Sequence, residues 1–564
     1  MSKIKVSDYI FQKISDYGID FVPIYQSGNA LNLIDSVGKN SKIKEFVNYH
    51  EQGCGLAAEA YGRFKKLGVC LVGSGPAATN LSTAIMSSYC DSIPCLFITG
   101  QVGMFHNKKN RSVRQRGFQE VDVVEHMKPI TKYSKLIENA ENVRYEIEKA
   151  IHLAVSGRPG PVVLDVPFNV QVTEIEPEKL QSFKAENILL DEKKYAEHFD
   201  YIIDQINLSN KPLLLLGGGV RSHKNVELTL SLFKKLNLPI ATTWAATDIL
   251  YFDHKLNLGN AGRGGNRSAI YAIQESDLIL SFGCRFTTKV IINEKEFAKN
   301  AKIIAVDIDQ GELDDGLVQI NKKIKSDLNV FIPNFHSYFE KKSLKNLQLK
   351  KEWLEKINSL KKDHYIIDES LKDKKDQYIS PYYFFNKLFE VANDDAIFIP
   401  DAGMNITWTY QANRLKKGQR IFTGWGASPM GYALPAGIGT YYATKNNQII
   451  IIAGDGGFQM NIQELQAVAL HNIPLKIFII NNESLGNTRF PATKMFGRST
   501  GNDIPGGYGW PDFPEVAEAY KIKGKVFNSN TNIELELEEI LANKKPCLVD
   551  VKIDPNQFML DTPI

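Results

Sequence analysis

Short apolar runs recur along this 564-residue chain, and each ends in a turn rich in glycine or aspartate. Runs of about four to eight apolar residues bounded by turn residues are typical of strands buried on both faces, as in parallel sheets. The predicted strands are Val69–Gly73, Cys95–Gly100, Val162–Val166, Leu213–Gly217, Ile303–Asp307, Ile397–Asp401, Ile449–Gly454, Leu475–Asn481 and Leu548–Ile553. Stretches of helical period, such as Val143–Val155 and Ile462–Leu470, separate them. The alternation predicts an α/β fold.

Two charged segments interrupt this alternation. Residues 174–195 lack the periodicity of a core element, and residues 336–378 are rich in lysine. We interpret both as linkers, the second partly as a solvated helix. The predicted domains are residues 1–175, 190–335 and 375–555, each a doubly wound parallel sheet.

Composition removes several classes of function. The chain has 67 Lys and Arg against 64 Asp and Glu, so its net charge of +3 gives no electrostatic reason to expect a nucleic-acid partner. The densest apolar run, Ile449–Ala453, is far shorter than the roughly 18 residues that span a membrane. The N-terminus resembles no secretory signal, and the six cysteines form no CxxC pair. We expect a cytoplasmic protein without a membrane partner.

The sharpest motif lies in the third predicted domain. One strand ends in Gly454-Asp455-Gly456-Gly457, and the next ends in Asn481-Asn482. Because parallel strands end at a common edge, an acid and an amide should lie close together there. Their oxygen atoms suit Mg²⁺ or Ca²⁺, and glycine lets backbone N–H groups approach a phosphate. The motif predicts a site for a metal-bound diphosphate; the alternative is that Gly-Asp-Gly only forms a turn.

Gly-Asp-Gly and Asn-Asn at this spacing resemble the diphosphate motif of thiamine diphosphate (ThDP) enzymes. The first predicted domain adds motifs in the order and spacing of the acetolactate synthase group. These are residues 48–53, 56–63, 73–81, 91–94, 99–101, 118–120 and 157–162. The chain therefore resembles this family over nearly its whole length. The resemblance implies a pyrimidine-binding, a middle and a diphosphate-binding domain, with ThDP and Mg²⁺ as cofactors.

The resemblance also implies residue roles. Glu51 matches the glutamate that hydrogen-bonds the cofactor pyrimidine and assists removal of the thiazolium C2 proton; by itself, Glu51 would be taken for an acid at a helix N-terminus. Phe118 and Gln119 match residues that line the substrate cavity. Asp455, Asn482 and the Ser484 carbonyl match the Mg²⁺ ligands. The other implied cofactor contacts are Asn80, Gly403, Asn405, Ser428, Met430, Gly454, Gly456, Gly457 and Leu485. Met430 matches the apolar residue that bends the cofactor, and its alternative is a core methionine.

Two further implications concern assembly and the middle domain. The family builds each site from two subunits, so the chain is expected to form a homodimer or homotetramer. Acetolactate synthases carry FAD in the middle domain, and Arg158 and Asp307 match positions that contact it. Many relatives leave this domain empty or bind another nucleotide there, and three glycines after Leu213–Leu216 are weak evidence. The sequence leaves FAD open.

The chain departs from acetolactate synthases on the side of the site that receives the second substrate. Lys289 stands where the family has an arginine that pairs with the acceptor carboxylate, and lysine lacks the planar fork of arginine. Pro491 stands where the family has a tryptophan, and Asn487 lies in the same segment. These residues predict a remodelled, more polar acceptor pocket. In this half of the site the chain resembles the ThDP enzymes of nucleotide-sugar and polysaccharide pathways, which transfer an acetyl unit from pyruvate to a keto-sugar.

We therefore expect a carboligase that decarboxylates a 2-oxo acid such as pyruvate and transfers the acyl unit to a carbonyl acceptor, with a keto-sugar as a candidate. One alternative is an acetolactate synthase of branched-chain amino acid synthesis. Another is a simple 2-oxo acid decarboxylase, although the His-His pair common in that group does not occur here. A non-catalytic binding protein is disfavoured because Glu51, Asp455 and Asn482 are all present. A Rossmann dehydrogenase is disfavoured because its glycine fingerprint does not follow an early strand.

Overall fold

The computed structural model describes residues 3–109, 111–185, 192–222, 226–341, 350–363 and 378–560. Within these residues the strands form three six-stranded parallel sheets and one small antiparallel pair, Ile4–Lys5 with Glu174–Ile175. Helices flank each sheet. The predicted α/β class with three doubly wound parallel sheets is confirmed.

The first and third sheets have the same strand order, 2-1-3-4-6-5 in chain order. Across the first sheet the strands are Lys44–Val47, Phe21–Ile24, Gly68–Val72, Cys95–Gln101, Pro161–Pro167 and Tyr133–Leu136. Across the third they are Arg420–Ile421, Ile397–Pro400, Ile449–Gly454, Lys476–Asn481, Cys547–Lys552 and Lys523–Phe527. In both sheets the order reverses beside the first strand, and such switch points are where open α/β sheets bind ligands.

The second sheet has the order 3-2-1-4-5-6, which is the order of dinucleotide-binding folds. Its strands are Asn257–Asn260, Ile240–Thr242, Pro212–Leu216, Leu278–Phe282, Lys302–Asp307 and Lys322–Lys325.

The helices follow the same division. With the first sheet are Val6–Asp16, Leu31–Lys39, Glu51–Phe64, Pro76–Asn80, Ser82–Asp91, Val123–Met127, Val143–Val155 and Phe168–Gln171. With the second are Glu192–Leu208, Gly218–Ser222, Val226–Leu236, Arg267–Glu275, Gln310–Asp314, Leu328–Lys341 and Lys351–Asp363. With the third are Pro381–Val391, Met404–Gln411, Ala433–Thr444, Asp455–Gln459, Leu465–Leu470, Gly486–Phe496, Phe513–Ala519 and Ile533–Ala542.

Each predicted strand is present, with ends that differ by a residue or so. Helix Val143–Val155 is also confirmed. The predicted helix over residues 462–470 is a 3₁₀ turn, Ile462–Glu464, that continues as the α-helix Leu465–Leu470.

The linker prediction is partly wrong. Residues Glu174–Ile175 form a strand. The helix expected in the lysine-rich segment is present at Lys351–Asp363, but it packs against the second sheet instead of lying in solvent. In that helix Trp353 and Ile357 are buried, and the Trp353 indole donates a 3.0 Å hydrogen bond to the Pro212 carbonyl. Residues 364–377, including Lys372–Lys375, lie outside the described residues. The exact domain limits stay a prediction.

The first and third sheets share one continuous apolar core. Helices Glu51–Phe64 and Ala433–Thr444 cross closely at Gly439. A Cβ at this position would overlap the Ala57 carbonyl, so glycine is required for the close approach. The Phe21 and Tyr442 rings stack with centroids 4.3 Å apart. This packing fixes the first and third sheets relative to each other. Among the described residues, no helix is long and apolar enough to cross a bilayer.

Candidate active site

The carboxyl edge of the third sheet carries two buried aspartates at its switch point. Asp401 follows strand Ile397–Pro400 and Asp455 follows its parallel neighbour, Ile449–Gly454. The second strand is four isoleucines, an alanine and a glycine, so it is buried until the chain turns at Gly454. The fold therefore directs both acids to one edge.

Asp455 sits among the groups predicted to bind the metal. Its carboxylate accepts hydrogen bonds from the Gly456 N–H at 2.7 Å and the Ser484 N–H at 3.2 Å. The Asn482 amide is buried and donates to the Ser484 hydroxyl at 3.2 Å. Burial raises the pKa of Asp455 to about 7. A divalent cation would restore the charged form of this buried acid, so Asp455, Asn482 and the Ser484 carbonyl fit a Mg²⁺ site.

The glycines after Asp455 leave room for a close approach. A Cβ at Gly456 would overlap the Leu485 side chain and lie 2.9 Å from the Tyr508 hydroxyl and 3.5 Å from the Met430 methyl. Predicted contact residues Met430, Gly456 and Leu485 therefore meet around one point. Tyr508 is a residue of this cluster that the sequence did not predict.

A second set of contacts shapes the neighbouring strand end. Asn405 donates to the Asp401 carbonyl at 2.6 Å and to the Ile452 carbonyl at 3.1 Å. Gly403 has φ +135°, and a Cβ there would lie 2.5 Å from the side-chain oxygen Oδ1 of Asn405. A Cβ at Gly454 would lie 3.3 Å from the same oxygen, and one at Gly457 would lie 3.1 Å from the Asp401 carboxylate. These predicted residues form one tight cluster.

Asp401 is a second residue that the sequence analysis missed. Its carboxylate accepts from the Gly431 and Ala433 N–H groups, both at 3.0 Å, and burial raises its pKa to about 7. It thereby holds the turn that follows Met430. Ser428, which comes just before Pro429 and Met430, has φ +46°. An acid directly after a buried strand was the available signal, the same one that singled out Asp455.

Glu51 lies on the other half of the candidate site. It is the first residue of helix Glu51–Phe64 and is 8% exposed. Asn80, at the end of helix Pro76–Asn80, donates a 2.8 Å hydrogen bond to its carboxylate. One turn along, Cys54 is buried and its pKa is raised by desolvation. Glu51 thus has a specific partner as well as its place at a helix N-terminus, in a surrounding poor in water.

Phe118 and Gln119 lie beside this half. The Gln119 carbonyl accepts a 2.9 Å hydrogen bond from the Ser74 hydroxyl, and Gln119 has φ +61°. A Cβ at Gly75 would overlap the Gln119 carbonyl, so glycine is needed where the two turns touch. Phe118 is 83% exposed.

Glu464 joins the two halves within one chain. It is fully buried, and its carboxylate accepts from the Asn48 amide at 2.8 Å and the Tyr49 N–H at 3.0 Å. Desolvation raises its pKa to about 7. The sequence analysis missed this residue, although an isolated acid in an apolar helical stretch was a usable signal.

Comparisons with known proteins agree with this geometry. Family models match the chain as thiamine pyrophosphate enzyme N-terminal, central and C-terminal domains, over residues 4–126, 199–333 and 401–551. The acetolactate synthase large subunit of Lactococcus lactis is 31% identical over 99% of this chain and 95% of that protein. The chain belongs to the ThDP-dependent, acetolactate synthase-like enzymes. Similar relatives include the isozyme 1 large subunit of Escherichia coli K12, 31% identical over 98% of this chain and 94% of that protein. A probable large subunit from Methanococcus aeolicus is 32% identical over 96% of this chain and 90% of that protein.

The predicted acceptor residues of this ThDP enzyme lie in two places. The Lys289 ammonium lies 4.4 Å from the centre of the Trp244 ring, and burial lowers the pKa of Lys289. Asn487 and Pro491 are exposed on helix Gly486–Phe496. In the described part of the chain, no hydrogen bond or ion pair joins Lys289 to either of them. Their common pocket stays a prediction.

The residues proposed for FAD are engaged with protein groups. Arg158 pairs with Asp309 at 2.7 Å and Glu312 at 2.8 Å. Burial raises the pKa of Asp307 to about 6. A Cβ at Gly217 would overlap the Gly283 carbonyl, so close packing of two strand ends accounts for this glycine. The strand order of the second sheet favours a dinucleotide, whereas the ion pairs of Arg158 do not. FAD therefore stays open, as the sequence left it.

Proposed function

We propose that the enzyme takes pyruvate as donor and transfers its acyl unit to a carbonyl acceptor larger and more polar than a second pyruvate, with a keto-sugar as the candidate. The supporting observation is the position of Lys289. Its ammonium lies over the Trp244 ring, and burial lowers its pKa. A point charge that lies against an indole ring is a poorer clamp for an acceptor carboxylate than a guanidinium fork.

We propose that each complete site combines two copies of the chain in a homodimer or a larger homo-oligomer. Glu51 lies with the first sheet and Asp455 with the third, and within one chain Glu464 connects these two regions. A second copy would bring its Asp455 edge opposite Glu51. Gel filtration with light scattering tests this, since a monomer that binds ThDP at full affinity would contradict it.

Bound ThDP supplies the carbanion chemistry that decarboxylation of a 2-oxo acid requires. In the proposed reaction Glu51 holds a proton at the cofactor pyrimidine, and Asn80 fixes the Glu51 carboxylate by its 2.8 Å hydrogen bond. Asp455, Asn482 and the Ser484 carbonyl would hold Mg²⁺. Met430 and Leu485, which approach each other at Gly456, would offer apolar contacts to the cofactor.

A second candidate is acetolactate synthesis itself, which the names and the coverage of the relatives favour. Product analysis separates the two. We expect pyruvate alone to give little acetolactate, and pyruvate with a keto-sugar to give a new branched sugar. Rapid acetolactate formation that a keto-sugar does not alter would support the plain synthase instead. Release of acetaldehyde as the main product would support a decarboxylase.

A further inference from the structure

A strongly basic loop lies next to Phe118 and Gln119. We define the basic loop as residues 103–109 and 111–117, which follow strand Cys95–Gln101. It contains Lys108, Lys109, Arg111, Arg114 and Arg116 and no acid. Because the whole chain has a net charge of only +3, this is a local concentration of positive charge.

The basic loop is held in shape by one buried carboxylate. Glu120 accepts hydrogen bonds from the Lys108 N–H at one end of the loop and from the Arg116 and Gly117 N–H groups at the other, the last two at 3.0 Å. Burial would raise the pKa of Glu120, but these backbone bonds outweigh it and lower the pKa. Glu120 therefore stays ionised and fixes the loop through its backbone.

The cationic side chains are left without carboxylate partners. Arg111 donates to the Asn107 and Lys108 carbonyls at 3.2 and 3.3 Å, and Arg116 lies 5.1 Å from the Phe105 ring centre. In the described part of the chain no ion pair involves Lys109, Arg111, Arg114 or Arg116. Lys109 and these three arginines are also exposed. An arginine bonded only to carbonyls keeps N–H donors free for a phosphate, which it binds in bidentate fashion.

The position of the basic loop connects it with the reaction. It leads directly into Phe118 and Gln119, and the Gln119 carbonyl accepts from Ser74 at the turn before helix Pro76–Asn80. Asn80, at the end of that helix, donates to Glu51. A molecule bound by the loop would therefore reach the half of the site that holds Glu51. The cofactor diphosphate is assigned to Asp455 on the third sheet, so it is not the anion this loop would bind.

We propose that the basic loop binds a phosphate group of the acceptor, so that the carbonyl acceptor is a sugar phosphate or a nucleoside diphosphate-linked sugar. The inference rests on the proposed function, because it supplies the chemical class of that acceptor. Arg111 and Arg114 are its principal ligands, and the ionised Glu120 holds the loop in place from behind. The loop acts in binding and positioning and takes no part in proton transfer.

The test uses the holoenzyme saturated with ThDP and Mg²⁺, with calorimetric titration of UDP, glucose 1-phosphate and, as the phosphate-free probe, uridine. We expect one or both phosphate probes to bind, more weakly at high salt, and uridine not to bind. Binding of UDP alone indicates a nucleoside diphosphate sugar, and equal binding of both probes indicates recognition of the phosphate only. If neither binds, or if uridine binds as well as UDP, the inference is wrong.

The variant R111Q/R114Q should lose at least about tenfold in affinity for the phosphate probe, since it removes two charged donors that can bind a phosphate in bidentate fashion. The control K544Q/K545Q removes the same charge from exposed lysines before strand Cys547–Lys552, at the edge opposite Asp455. It should bind like the wild type. Equal affinity in the wild type and R111Q/R114Q, or an equal loss in the control, would overturn the assignment. ThDP retention in both variants reports that the fold is intact.

The two proposals can fail separately. Arginine-dependent binding of UDP together with acetolactate as the only product overturns the proposed acceptor and leaves the phosphate site. A keto-sugar product whose KM is the same in R111Q/R114Q and the wild type overturns the role of the basic loop and leaves the proposed function. Equally tight binding of duplex DNA or anionic vesicles would show a general polyanion surface and would overturn the loop assignment.

Discussion

Asn48 donates a 2.8 Å hydrogen bond to Glu464 across 416 positions of the sequence. Asn48 comes just before the helix that begins with Glu51. Glu464 follows the short helix Asp455–Gln459, which begins with Asp455. The Tyr49 N–H donates to the same carboxylate at 3.0 Å. One buried acid therefore fixes the start of the Glu51 helix relative to the diphosphate edge of its own chain.

Replacing Glu464 with glutamine should change the pH dependence of stability. Desolvation raises its pKa from 4.5 to about 7, so the folded protein binds more protons than the unfolded chain between these values. The stability contributed by this group is full below about pH 4.5 and is lost as pH rises to about 7. Glu464→Gln removes that loss. Relative to the wild type, its free energy of unfolding should rise by up to about 1.4 kcal/mol per pH unit in this window.

Urea unfolding at fixed protein concentration from pH 4.5 to 8 measures this difference. Glu125→Gln is a suitable control because Glu125 is exposed and pairs only with Lys128. Stability profiles of Glu464→Gln and the wild type that stay parallel across the window would contradict the role assigned to this carboxyl.

Glu51→Gln should keep ThDP bound but slow loss of the cofactor C2 proton. Glutamine retains a side-chain oxygen that can accept from Asn80, so the 2.8 Å contact and the helix start should persist. The proton that the carboxyl supplies is removed, and such groups contribute about 10²–10⁴-fold in rate. Hydrogen–deuterium exchange at C2 of bound ThDP, followed by NMR, gives the rate directly. Exchange as fast as in the wild type would remove Glu51 from this role.

Asp455→Asn should make ThDP retention independent of Mg²⁺ and weak. The amide keeps the size of the carboxyl but loses its charge, so the metal loses its only charged protein ligand among Asp455, Asn482 and Ser484. The measurement is ThDP content after gel filtration with and without a chelator. Asp550→Asn is a matched control, since Asp550 is a buried carboxyl of the same sheet, two strands from the strand that precedes Asp455, and pairs with Lys552 at 2.7 Å. Equal ThDP content with and without chelator in the wild type would disprove the metal site.

The site residues that the sequence could predict are those that directly follow a buried strand. Asp455 and Asn482 each follow a run of buried strand residues, and parallel topology then brings them to one edge. The roles of Glu464 and Asp401 were not predicted because their hydrogen-bond partners come from distant parts of the chain. Asn48 is hundreds of residues from Glu464, and the Gly431 N–H that donates to Asp401 lies in the turn after Met430.

Contacts between elements that are distant in the sequence could not be predicted from local pattern either. The charge of Lys289 is evident from sequence, but its position over Trp244 depends on how the second sheet meets the aromatic residues near Tyr410. Helix Lys351–Asp363 looked like a solvated helix of a linker because it carries as many lysines as apolar residues. Its few buried side chains, Trp353 and Ile357 among them, decide where it packs.

The last prediction concerns the acceptor. Wild-type enzyme should condense two pyruvates slowly, because Lys289 offers a point charge beside Trp244 and an exposed proline, Pro491, stands at the position predicted from the family to carry a tryptophan. The double variant K289R/P491W supplies a guanidinium fork and a wall for a small acceptor, so acetolactate formation from pyruvate alone should rise by about tenfold or more. The control K299R makes the same lysine change at an exposed residue that pairs with Glu296. A wild type that already forms acetolactate at about 1–10³ s⁻¹, without gain from a keto-sugar, would show that Lys289 suffices and that the acceptor pocket is that of a plain synthase.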